Sequence, residues 1–105
     1  GLSCGEPSGM AWEILAEEAA DFLTIPDSLV APCVRLLARP CAGDPAIEAG
    51  ESAIAGLAAL IAARQDAALS AKLGLDAQSR VLLIGSEGVT DPEIFAQIME
   101  GRDAA

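Results

Sequence analysis

The chain has 105 residues, 52% of them apolar but only 3% aromatic, and 16 acidic against 6 basic side chains give a net charge of −10. That length suits one domain or a piece of one. The charge argues against nucleic acid or an anionic membrane surface as a partner, because both repel an acidic face.

Much of the apolar content is alanine, which packs closely but buries little area per residue. Such a core needs more chain around it than 105 residues supply. Cys4, Cys33 and Cys41 form no CxxC pair and there is no histidine, so no metal site is expected. The odd cysteine count and the lack of a signal peptide point to a reducing cytoplasm. The longest apolar run, Ala53 to Ala63, is too short to span a bilayer.

In chain order, "SGMAWEILAEEAADF" predicts a first helix, with Ser8 as its cap and Met10, Ile14 and Leu15 on one face. "DFLTIPD" reads as a short buried strand. Asp27 or Ser28 caps a second helix, "SLVAPCVRLLARP", whose Pro32 should delay the start or kink the first turn and whose Pro40 closes it. A loop with a turn at Gly43-Asp44-Pro45 leads into "ESAIAGLAALIAARQ", a helix apolar nearly all round and therefore expected to be buried on most sides. "DAALSAKLGL" is a surface helix ended by Gly74. "RVLLIG" is the clearest strand pattern, and Asp91 with Pro92 opens the last helix.

Strands alternating with helices predict an α/β fold, a partial three-layer α/β/α arrangement with few parallel strands, over a single segment 1–105. In such sheets ligands gather at the carboxyl ends of strands, where "GSEG" lies. Gly85 and Gly88 allow a sharp turn or a close approach, and Ser86 offers a hydroxyl. From composition alone an ordinary strand-to-helix turn is the favoured reading of the motif, because such turns are common. In "AGES", Glu51 at a helix start is favoured by the dipole, which is reason enough for its presence. Cys4 has no histidine to activate it. No serine triad and no glycine-rich phosphate loop is present, so the chain by itself carries no complete catalytic apparatus.

Taken together, "GLSCGEPSGMAWEIL", "FLTIPDSLVAPCVRLLA", "GDPAIEAGESAIAGLAAL" and "VLLIGSEGVTDPE" resemble, in this order, the C-terminal part of the diaminopropionate ammonia-lyase family. Looser likeness extends to serine and threonine dehydratases. All are pyridoxal-phosphate enzymes of the tryptophan-synthase-like fold, that is, of fold type II. The resemblance implies elimination of ammonia from 2,3-diaminopropionate, giving pyruvate and a second ammonia.

It also implies that the Schiff-base lysine and the phosphate loop lie outside this chain. The one lysine, Lys72, matches no cofactor motif, so the chain reads as an inactive C-terminal piece with no catalytic residue of its own. Carried over by motif, Ser86 and its neighbour Gly85 face the pyridine nitrogen of the cofactor, Glu51 is an acidic residue near it, and Gly1 and Leu2 pass beside the ring. The partners implied are a small amino-acid substrate and the N-terminal remainder of the enzyme. Uncovered apolar faces on the third helix and on Val81–Ile84 imply further association, as a homodimer or with that remainder. Two alternatives stay open: a portion of a serine or threonine dehydratase, and a free-standing acidic α/β module that binds a partner protein.

Overall fold

Side-chain caps open three of the five α-helices among the described residues, whereas the helix after Asp27 and Ser28 and the helix after Glu51 start without one. In the computed structural model, which describes residues 5–40 and 43–101, the Ala11 amide donates to Ser8 Oγ at 3.3 Å and opens α1 (Gly9–Glu18). A 3₁₀ turn at Asp27–Leu29 precedes α2 (Val30–Ala38). Pro32 falls in the first turn of α2, where an amide has no intrahelical acceptor, so it is tolerated there. A second 3₁₀ turn, Glu51–Ala53, leads into α3 (Ala55–Arg64). The Asp66 carboxylate accepts from the Leu69 amide at 3.1 Å and caps α4 (Ala67–Leu73), which ends on Gly74 at φ 73°. Asp91 accepts from the Ile94 amide at 3.1 Å and starts α5 (Pro92–Met99), with Pro92 in its first turn.

The core sits where α2, α3 and α5 meet. Val34, Cys33, Ile54 and Ile98 are its largest fully buried side chains, joined by Val30, Ala31, Ala49 and Ala58. Burying each large aliphatic group contributes about 1.5–3 kcal/mol. Arg35 ties α2 to α5 through an Nη1 hydrogen bond donated to the Ile98 carbonyl at 3.0 Å. The buried Ser70 hydroxyl donates to the Ala63 carbonyl and fastens α4 to the end of α3.

The expected α/β layering is not present among the described residues. The described residues form helices and turns, with no β-strand among them. Neither "FLTIP" nor "VLLI" pairs with another segment. A strand needs a neighbour to take its amides and carbonyls, and these two runs do not meet. Leu82 and Ile84 are consequently 85% and 81% exposed. Helix α3 is likewise only partly covered, with Ala58 and Ala63 its buried residues. Helix α1 buries none of its residues, and Trp12 finds its aromatic partner in Phe22, the ring centroids 5.9 Å apart.

Candidate functional site

Residues 83–88 run alongside the start of α3, and small residues set the separation. A Cβ placed on Gly50 would collide with the Gly88 carbonyl oxygen and come within 3.2 Å of Glu87 Oε1. One on Gly85 would stand 3.3 Å from the Ala53 carbonyl oxygen, and one on Gly56 3.2 Å from Leu83 Cδ2. Positions 50, 53 and 56 therefore face 88, 85 and 83 in order. The Gly50 amide donates to the Glu87 carbonyl at 3.1 Å and locks the register. Neither Gly85 nor Gly88 has a positive φ, so a left-handed turn is not the reason for either glycine. At Gly85 the reason is the closeness of Ala53.

Between this segment and α2 opens a cavity of about 540 Å³. Leu37, Ile47 and Leu57 supply its apolar wall; Gly85, Ser86, Glu87 and Gly88 form one rim. Ser86 is exposed, and its hydroxyl makes no hydrogen bond among the described residues. A free hydroxyl beside an apolar wall can accept or donate one hydrogen bond to the edge of a flat, polar-edged ligand. Glu51 does not share this cavity. It lines a separate recess of about 10 Å³ with Gly50, Glu87 and Asp91. In that recess the Thr90 hydroxyl donates to Glu87 Oε1 at 3.2 Å. Among the described residues no cluster of ligands could hold a metal ion, and no helix is long and apolar enough to cross a membrane.

Of the residues singled out by motif, the structure thus brings Ser86 and Gly85 to one rim and leaves Glu51 behind it. Gly1 and Leu2 lie outside the described residues. Lys72 is exposed on α4 and takes no part in the cavity. Sequence reasoning missed Gly50 and the wall residues Leu37 and Ile47. The recurrence of small residues at Gly50, Ala53 and Gly56 was the available signal, since small residues let a neighbouring backbone come close.

No family model matches the chain. Curated proteins do. It is 40% identical to diaminopropionate ammonia-lyase of Escherichia coli (strain K12) over 108 aligned residues, 99% of this chain and 27% of that enzyme. It is 38% identical to the enzyme of Salmonella typhimurium (strain LT2), again over 99% of this chain and 27% of the relative. The crystal structure of the Escherichia coli enzyme in complex with D-serine superposes with a TM-score of 0.87 at 40% identity, covering 99% of this chain and 28% of that one. The apo form gives 0.84 at 37% identity over 93% and 28%.

In sequence and in backbone, then, the chain is similar to a segment of an ammonia-lyase. The resemblance read from its motifs stands: the counterpart is diaminopropionate ammonia-lyase, and the chain corresponds to its C-terminal part. It spans about 27% of the length of the curated relatives it matches.

Proposed function

We propose that this chain is the C-terminal part of a pyridoxal-phosphate-dependent diaminopropionate ammonia-lyase, and that the Ser86 hydroxyl holds the nitrogen edge of the cofactor's pyridine ring. The observation that carries the assignment is an exposed hydroxyl without a hydrogen-bond partner on the rim of a cavity with an apolar wall. The residues present fit one edge and one face of a flat heterocycle. Leu37, Ile47 and Leu57 offer apolar surface to a ring, and Ser86 offers a single hydrogen bond at its border. When bound, the cofactor supplies the electron sink for elimination. A neutral hydroxyl orients the ring nitrogen without forcing a proton onto it, which tempers that sink and suits elimination over transamination. Glu51, in the adjoining recess, is the acidic residue we assign to the cofactor's neighbourhood.

The reaction takes 2,3-diaminopropionate to pyruvate and two ammonia molecules, the second released by hydrolysis. The lysine that carries the cofactor and the phosphate cup come from the N-terminal remainder of the enzyme, so these 105 residues alone are inactive. The exposed Leu82, Ile84, Met10 and Ile14 are the surfaces that the remainder or a second subunit of a homodimer covers. The setting is cytoplasmic amino-acid degradation. The match along 99% of the chain favours this reading over a free-standing binding module.

Ser86→Ala in the complete enzyme tests it. Losing one oriented hydrogen bond of about 1–1.4 kcal/mol should lower turnover about five- to tenfold while lysine attachment survives. Ser86→Asp should instead protonate the ring nitrogen and raise the share of transamination products. Full elimination activity in Ser86→Ala would return "GSEG" to the status of a turn.

A further inference from the structure

Gly50 occupies a conformation open to every residue, φ −75° and ψ 170°. Its lack of a side chain is therefore not a backbone requirement. What it permits is contact: the Gly88 carbonyl oxygen occupies the space a Cβ would need, and that oxygen belongs to a backbone that cannot swing aside as a side-chain tip does. The same residue's amide donates to the Glu87 carbonyl at 3.1 Å. Gly50 thus grips the two residues that follow Ser86. On the other side of Ser86, Gly85 rests against Ala53. Ser86 is held between these two close approaches, both to one stretch of chain whose far end, Ile54, is completely buried in the core.

We propose that Gly50 is the positioning residue for Ser86: its contact with Glu87 and Gly88 fixes how far the hydroxyl reaches into the cavity. The proposal rests on the assignment of Ser86 to the cofactor's ring edge. Gly56 provides an internal control. It lies on the same face, but a Cβ added there would meet Leu83 Cδ2 at 3.2 Å, the end of a flexible and half-exposed side chain. It also sits inside α3, where alanine is the better helix former. Gly56→Ala should therefore be absorbed by a small rotation of Leu83.

The test is cofactor affinity, measured by titrating pyridoxal 5′-phosphate into the complete apo-enzyme and following its absorbance. Gly50→Ala should weaken binding about five- to tenfold, close to the effect of Ser86→Ala, whereas Gly56→Ala should stay within about twofold of the parent. If Gly50 acts through Ser86, the double variant Gly50→Ala/Ser86→Ala should bind no worse than Ser86→Ala alone, because the second change has no oriented hydroxyl left to displace. Parent-like affinity in Gly50→Ala, or losses that multiply in the double variant, would overturn the proposal. Ser86→Ala binding like the parent would overturn the Ser86 assignment and this proposal with it. A weakened Ser86→Ala beside an unaffected Gly50→Ala removes the positioning role only. Should Gly50→Ala not fold, Gly85→Ala presses the same segment more gently, its Cβ 3.3 Å from the Ala53 oxygen. A two- to threefold loss, on the order of a small displacement, that vanishes in a Ser86→Ala background supports the proposal; no loss, or a multiplied one, defeats it.

Discussion

Replacing Arg35 by Met should loosen the last turn of α5 without disturbing the rest of the core. The side chain is half-buried on α2, and its Nη1 donates to the Ile98 carbonyl at 3.0 Å. A hydrogen bond from a charged donor contributes about 1.5–3 kcal/mol. Two features reduce that figure here. The Ile98 oxygen also accepts from the Gly101 amide at 3.0 Å, so losing Arg35 does not orphan it. The guanidinium is partly solvated, which weakens its electrostatic share. A cation near a helix C-terminus adds back about 0.3–1 kcal/mol. We therefore expect Arg35→Met, which keeps the apolar stem, to cost about 1–2 kcal/mol locally. Amide hydrogen exchange in α5 reads this directly: its C-terminal amides should exchange about 5- to 30-fold faster, while α3 amides stay as they were. Arg35→Lys keeps the charge but not the fork, and should recover less than half of the loss. Unchanged α5 exchange in Arg35→Met, or full recovery in Arg35→Lys, would refute the reasoning that the directed hydrogen bond holds α5.

Two further outcomes are expected. Burial pushes the Cys33 thiol above its ordinary value of 9.0. Because the folded state holds that proton more tightly, its contribution to stability is whole below the ordinary pKa and is lost as the pH rises through the raised one. Stability should therefore decline above about pH 9 and less so in Cys33→Ala; peptide mapping after alkylation near pH 8 should find Cys33 modified only on unfolding. Trp12, the single tryptophan of these residues, lies half-exposed against Phe22, so the chain's emission should be red-shifted and readily quenched by acrylamide. A blue-shifted emission resistant to quenching would refute the exposure of α1.

Much of the helical layout was legible because caps are local. Ser8, Asp91, Pro92 and Gly74 each act within a few residues of themselves, and no distant contact is needed to read them. The motif likeness was legible for a different reason, since residue order survives whatever the packing. The strands were not. "FLTIP" and "VLLI" have the composition of buried strands, but a strand exists only through its neighbours, and among the described residues neither run has one. The site divides in the same way. Ser86 was visible as a hydroxyl in a glycine turn, whereas its separation from Glu51 and its dependence on Gly50 arise from how residues 50–56 lie against 83–88. That contact joins segments about thirty residues apart, and only folding brings a carbonyl of Gly88 into the space that a side chain on Gly50 would fill.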